Sequence, residues 1–531
     1  MVLSIFSFFL IIGLVLLVLF FSWFNISLFI SISPCYFLMN NILEFVVLLD
    51  PVVVICLSML LICSLLAFIY CFHYYYDSAD VFSLFYLMVW FVVVMMLLVL
   101  SGSLVFTLVM WEYLGFVSFL LILFYSNSSS VRASLITLLA SRFGDVGLFV
   151  IVVCSLCGVY ISSFFFLSFF LVVVTKSAGF PFISWLLEAM RAPTPVSSLV
   201  HSSTLVAAGV WFIVRYGFMV NSFYMFYVFV VSLLTIIVTG VCALFFLDLK
   251  KVVALSTCNN VAWCLVYYTC GDYFLVIFQL LVHGVCKCAL FILVGDLMSS
   301  SSGSQSGIGV YMSRYGGVYG FILLSLLIFC LCGFPFLGIY FSKHFFFSYL
   351  VGGVYNIFLV LFVLLAFMVS YAYSFRLVLV ISSGASGLSF GYLSSFIYVF
   401  LFVLVGTFLG WFIGGVVEEC IYLSFFWSLL FLLAQLCGFL LGYLVYIFSV
   451  SGWFWNTILW GSDSLVNFFY SIYDVLSGIS SVVIYRWEVS VLSALVRFCG
   501  FFFSGGSMLF SLNFIILGVF FYVLFCLLGG V

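Results

Sequence analysis

Glu112, Lys176, His201, His283, Lys287 and Lys343 stand inside long apolar runs, where an ionisable side chain has no ordinary reason to be. A charge at the centre of a bilayer costs at least ~2.5–3.5 kcal/mol, so each of them needs a partner or a purpose. These side chains exchange protons, and a dry setting penalises their charged forms, which readies them to do so. Glu112 sits mid-run in Val109-Met110-Trp111-Glu112-Tyr113-Leu114-Gly115, and Lys176 in Val174-Thr175-Lys176-Ser177-Ala178-Gly179. An ion pair made and broken between these two would act as a switch; a static buried salt bridge is the other reading. Gln279, His283 and Lys287 are four apart, so they share one face of a helix otherwise built of Leu, Val, Phe and Cys. That stripe reads as a hydrated proton path or as a packing contact between helices. All three residue types are scarce in the chain, which argues against a chance stripe.

His201 shares a face with Ser197 and Thr204 after Pro195, either as a relay or as a histidine satisfied by hydroxyls. Lys343 lies in Phe341-Ser342-Lys343-His344, and both an intramembrane position and one near the span's exit fit the spacing. Arg142 and Asp145, three apart, suit an ion pair on one helix face. Asp248, Lys250 and Lys251 mark a loop and the start of the next helix. The other charges fall at loops and span ends, where snorkelling and orientation account for them.

The elements that must position these residues follow from composition. Of the 531 residues 68% are hydrophobic and only 5% charged, with a mean hydropathy of +1.50. A soluble protein carries about a quarter charged residues, so most of this surface faces something other than water. Apolar runs of about 20 residues, the length that crosses a hydrocarbon core, recur throughout. They are apolar on every face rather than alternating, which predicts helices and excludes a barrel. The expected class is an all-α polytopic membrane protein with about fifteen spans. These lie near 2–24, 45–72, 81–101, 103–125, 131–157, 162–188, 195–216, 224–247, 251–270, 273–297, 318–349, 352–380, 389–414, 423–449 and 509–529. The Ser/Gly-rich stretch 299–309 reads as a flexible loop. Segment 462–500 carries Asp463, Asp474, Arg486, Glu488 and Arg497 among apolar residues. It is expected as an amphipathic helix along the membrane surface, about 58 Å long at 1.5 Å per residue.

A net charge of −2 offers nothing to nucleic acid. Met1 leads directly into an apolar run, so no removable leader is expected. The 18 cysteines are scattered through apolar runs and read as small hydrophobes, Cys154 and Cys157 included; no metal site is expected. No nucleotide loop and no cysteine set for an iron–sulfur cluster is visible, which places any redox chemistry in other chains. Phe, Val, Leu, Gly, Cys and Tyr are abundant while Pro, His, Lys and Gln are scarce. That is the mark of a T- and G-rich coding strand and points to an organellar genome.

Gly179-Phe180-Pro181-Phe182 and Gly333-Phe334-Pro335-Phe336 are identical, each inside an apolar run and each near a lysine. Proline removes a donor and interrupts a helix, so both spans are expected to break. Paired breaks in two halves are the sequence sign of a transporter built from repeats.

Lys176 to Trp185 with Leu186-Leu187-Glu188-Ala189-Met190, and Ala192-Pro193-Thr194-Pro195-Val196-Ser197-Ser198-Leu199-Val200-His201-Ser202-Ser203-Thr204, resemble conserved stretches of one family. It is the antiporter-like subunit 5 family of respiratory complex I (NADH:ubiquinone oxidoreductase). Trp111-Glu112, Ser141 to Gly147, Asp248 to Lys251 with Ser256-Thr257, His283 to Lys287, and Gly333-Phe334-Pro335 with Ser342-Lys343 follow in family order over residues 111–344. The resemblance implies two inverted five-helix repeats, at 81–216 and 224–380, preceded by N-terminal helices in 1–80. It further implies C-terminal helices in 389–449, a lateral helix at 462–500 and a final anchor at 509–529. Glu112 and Lys176 become the coupled pair of the first half; His201, His283 and Lys287 the central axis; and Lys343 the charged site of the second half. The implied role is proton translocation by a non-redox subunit of the mitochondrial inner membrane. NADH, FMN, iron–sulfur clusters and ubiquinone would be bound by other subunits, and neighbouring antiporter-like subunits would be held through the lateral helix. The chain departs from the family pattern at Leu187 for Pro, Glu188 for Asp, Gln279 for His and His344 for an acid. It is also expected to lack one N-terminal span. The related cation/proton antiporters are the alternative; they tend to place a lysine where this chain has Val206-Ala207-Ala208-Gly209. A structural scaffold whose charges only orient it is a third reading, which the paired breaks oppose.

Overall fold

The computed structural model describes residues 28–32, 45–75, 80–158, 163–300, 303, 305, 317–335, 337–353, 357–382, 424–448 and 460–497. The expected spans 2–24, 389–414 and 509–529 and most of the loop 299–309 lie outside the described residues. The chain divides into two compact units, Met1–Ser462 and Asp463–Val531.

In the first unit a two-stranded antiparallel ribbon pairs β1 (Leu28–Ile32) with β2 (Phe45–Leu49), Leu28 opposite Leu49. This corrects the all-helical expectation and the start of the span near 45. Pro51 lacks an N–H and suits the first helical position, so the helix can begin only there, after Asp50. Next come α1 (Pro51–Tyr74), α2 (Val81–Leu100), α3 (Leu104–Leu123) and α4 (Ser128–Leu156). A broken pair follows, α5 (Ser163–Lys176) and α6 (Ser184–Ala189). Then α7 (Thr194–Met219), α8 (Ser222–Ala243), α9 (Leu249–Thr269) and α10 (Tyr273–Ser300) run in succession. A second broken pair, α11 (Gly317–Cys332) and α12 (Tyr340–Gly352), precedes α13 (Ile357–Ser382) and α14 (Phe425–Phe448).

Burial sorts these helices. The most apolar stretch of α7 is wholly buried and that of α10 is 89% buried, against 22% for α14, so α7 and α10 form the centre and α14 the rim. Helix α9 is also central: it is buried from Val252 through Tyr268, although it carries Ser256, Thr257, Asn259 and Asn260. Asn259 Nδ2 donates to Ile236 O of α8 at 2.9 Å, one of the bonds that make such a polar helix tolerable in an apolar interior. At the rim, Gly438 and Gly442 of α14 lie against the backbone of α13. A Cβ there would come within 2.6 Å of Met368 O and 2.4 Å of Ala372 O, the close approach that small residues allow between membrane helices.

The second unit is described through α15, which starts at Trp460 and runs to Arg486. It continues through a π-helical stretch, Trp487–Leu492, and helix to residue 497. Its residues from 471 onward are almost all exposed. By length and composition Ser471–Arg497 is apolar enough to cross a membrane.

Candidate functional site

The first break begins where α5 ends at Lys176. Ala178 takes φ = +53°, and Gly179 N bonds five residues back to Val174 O at 2.9 Å. The carbonyl of Thr175, left without its helical donor, accepts from Trp185 Nε1 at 3.0 Å. Gly209 of α7 lets the break sit against it, since a Cβ would come within 2.8 Å of Ser177 N. Lys176 is 1% exposed, and its Nζ makes no hydrogen bond to any described residue. Its Nζ lies 5.3 Å from the centroid of the Trp111 ring, a cation–π contact.

Glu112 does not pair with Lys176 directly. Its carboxylate accepts from Arg142 Nη1, which also contacts Asp145 Oδ2 at 3.2 Å. Asp145 is buried, whereas the Arg142 side chain is 44% exposed. The guanidinium thus bridges two acids at the rim, and by sign both acids attract the Lys176 ammonium while Arg142 repels it.

Lys176 and His201 line one small enclosed cavity with Ser118, Thr137, Ser141 and Trp185. His201 lies in a π-helical stretch of α7, Ser197–Thr204. Hydroxyls there bond back along the chain: Thr204 Oγ1 to Leu199 O at 2.9 Å and Ser203 Oγ to Leu199 O at 3.3 Å. These bonds accompany the wider turn and shift the face that regular helical spacing assigns to Ser197, His201 and Thr204. Both ring nitrogens of His201 are buried without a described partner, and so are those of His283.

Gln279, His283 and Lys287 climb one face of α10 and are each at most 1% exposed. His283 lies beside the Ser202 backbone. Lys287 Nζ donates to the Ser256 hydroxyl and to Val253 O (3.2 Å), both on α9. Gln279 Oε1 accepts from Ser342 Oγ at 2.6 Å, which ties α10 to α12 one residue before Lys343.

At the second break Gly333 has φ = +80°, a conformation suited to glycine. The freed carbonyls are again satisfied: Cys332 O accepts from Lys343 Nζ at 2.7 Å and Gly333 O from Tyr371 Oη at 2.8 Å. Lys343 is wholly buried, so of its two expected positions the internal one applies; it also bonds Ser370 Oγ at 2.8 Å. His344, half-buried, stacks on Tyr340 with centroids 5.5 Å apart. Pro335 lies between the half-helices, as Gly179 and Pro181 do in the first break. Asp248 sits at the N-terminus of α9 and pairs with Lys251 at 3.3 Å, while Lys250 Nζ reaches Ala192 O at 3.4 Å.

Three further charged groups escaped sequence reasoning. Asp296 of α10 has a side chain 10% exposed and lies 3.7 Å from His73 Nε2 of α1. It was visible as an acid in Val294-Gly295-Asp296-Leu297, but a place near a span end hid it. Arg215 donates to Asp50 Oδ2 at 2.6 Å across 165 residues of sequence. Arg376 caps α8 through Ala243 O (3.1 Å) and Phe246 O (3.0 Å). Among the described residues no group of three or more His, Cys, Asp or Glu could hold a metal ion.

Ten described helices are long and apolar enough to cross a membrane, nine of them in the first unit, where two others break beside a buried lysine. Such a bundle around a polar axis is an antiporter-like, multi-pass membrane protein. Residues 101–369 match the family described as NADH:quinone oxidoreductase/Mrp antiporter, TM, and the chain belongs to that family. It is similar to proteins named NADH-ubiquinone oxidoreductase chain 5. The one from Ascaris suum is 40% identical over 57% of this chain and 57% of its own length. The one from Caenorhabditis elegans is 37% identical over 57% and 59%, and that from Apis mellifera ligustica 36% over 54% and 53%. The chain therefore spans little more than half the length of these relatives. In fold it resembles the Mrp complex from a Dietzia species, with a TM-score of 0.72 at 20% identity, over 94% of this chain and 60% of that one.

Proposed function

We propose that this chain is a proton-translocating membrane-arm subunit of a mitochondrial NADH:ubiquinone oxidoreductase. One observation carries the reading. Buried ionisable and polar side chains run from Lys176 through a shared cavity to His201, past Ser202 to His283 and Lys287, and through Gln279 and Ser342 to Lys343. Buried polar atoms of this kind require partners, and those of Lys176, His201 and His283 find none among the described side chains. Such groups are suited to hold a proton in transit. In this reading Lys176 gives its proton to His201 across their cavity, and Lys287 and Lys343 are the next stations. Glu112 and Asp145, joined by Arg142, set the charge that Lys176 faces.

Electron transfer would take place in other subunits holding NADH, FMN, iron–sulfur clusters and ubiquinone. The finer architecture belongs to the same proposal: fifteen spans in all, inverted repeats at 81–216 and 224–380, and a lateral helix at 462–500 that grips neighbouring antiporter-like subunits in the inner membrane. The test is NADH-driven proton uptake in vesicles containing the intact complex. Lys287→Ala should stop uptake while the complex still assembles; unaltered uptake would refute the proposal.

A second reading is favoured by the structural likeness to an Mrp complex: exchange of a cation for protons. Sodium-driven proton movement in vesicles without NADH would select it.

A further inference from the structure

A cavity of about 410 Å³ lies where three membrane helices end together: α3 begins at Leu104, α4 ends at Leu156 and α7 ends at Met219. It shares no residue with the lysine–histidine axis. Helices of spanning length that end together set its depth, at the level where hydrocarbon gives way to headgroups.

Its wall combines two kinds of surface. Val152, Leu156 and Phe218 are apolar, and Ser103, Arg215 and Tyr216 are polar. Arg215 Nη1 donates to Asp50 Oδ2, which fixes one edge of the guanidinium, but Nη2 is buried with no hydrogen-bond partner. Tyr216 is 4% exposed and its hydroxyl makes no full hydrogen bond; the nearby Thr107 Oγ1 donates to Leu104 O at 2.7 Å and keeps its lone pairs to accept from it. Ser103 precedes the first turn of α3, yet its side chain makes no capping bond and its Oγ is unpartnered. A helix N-terminus with free donors beside it favours an anion, and arginine keeps its charge at any physiological pH.

We propose that this cavity is a phospholipid-binding site. Arg215 Nη2, Tyr216 Oη and Ser103 Oγ, which line the same cavity, donate to the phosphate oxygens. The first methylenes of one acyl chain lie on Val152, Leu156 and Phe218. The volume suits the phosphoglycerol and the start of a chain, with the rest of the lipid in the bilayer. Basic pockets between membrane helices at headgroup depth recognise lipids in this way. Inorganic phosphate shares the headgroup chemistry but has no use for the apolar wall.

The test is photolabelling of the intact complex, in nanodiscs containing a trace of phosphatidylglycerol with a diazirine near the top of one chain, followed by peptide mass spectrometry. Adducts are expected on the peptides holding Val152–Leu156 and Phe218–Met219. Arg215→Gln and Tyr216→Phe should each lower them by about tenfold, and excess inorganic phosphate should leave them unchanged. Labelling that survives both substitutions overturns the proposal, and labelling erased by phosphate assigns the site to the free ion instead. Should Arg215→Gln prevent assembly, Val152→Trp fills the cavity without touching its polar wall. Undiminished labelling there also overturns the proposal.

Discussion

The two helix breaks carry the same tetrapeptide and each stands near a lysine, yet they treat that lysine differently. At the first, Trp185 satisfies the freed carbonyl and Lys176 is left without a hydrogen-bond acceptor, facing an aromatic ring and two acids held by Arg142. At the second, Lys343 itself satisfies the carbonyl of Cys332 and bonds Ser370, with Tyr371 holding the next carbonyl. One lysine is poised against charge; the other also serves as a structural donor. A repeated motif thus fixes where the backbone parts but not what the adjoining amine does.

Replacing the two lysines should separate these roles. In Lys176→Met, NADH-driven proton uptake should fall by about 10²-fold, while native gels show the complex at its usual size and amount. In Lys343→Met, uptake should fall similarly, and the melting temperature of the extracted complex should fall too. The two acceptors left buried cost about 1–3 kcal/mol each. Equal stability of the two variants would erase the distinction.

The backbones of the breaks can be challenged next. Gly209→Ala drives a methyl into Ser177 N, and overpacking of this kind costs about 1–3 kcal/mol. Gly333→Ala meets a positive φ and Lys343 Cδ at 3.2 Å, so both should lower the melting temperature. Only Gly333→Ala should also disturb a lysine's own hydrogen bonds. Tyr371→Phe removes the donor to Gly333 O and should cost about 1 kcal/mol in thermal unfolding. The smallest effect is expected from Arg191→Gln beside the first break, whose part-exposed ion pair with Glu188 contributes at most about 1 kcal/mol to stability. Its melting temperature should stay near that of the unaltered complex.

Much of this arrangement was legible in the sequence because its signals are local. Apolar length marked the spans, proline marked the breaks, and spacing of four placed Gln279, His283 and Lys287 on one face. Other features depend on distant partners. Arg142 bridging Glu112 to Asp145 depends on two helices meeting, and Arg215 finds Asp50 from 165 residues away. The π-helical stretch around His201 looks like ordinary helix in the sequence, since serine and threonine bond back along the chain in either form. The ribbon over 45–49 was hidden because Phe-Val-Val-Leu-Leu suits a strand as well as the start of a span.

Helix α9 has a consequence for how the chain is made. Its lysines, asparagines and hydroxyls would be poorly received by lipid if it emerged alone from the insertion machinery. Asn259 finds its acceptor on α8, which is already synthesised, but the Ser256 hydroxyl meets Lys287 only after α10 has followed. Ser256 already donates to Val253 O at 2.8 Å within α9, so the bond that arrives with α10 serves the incoming lysine: the polar helix laid down first is the acceptor that brings the central amine into place.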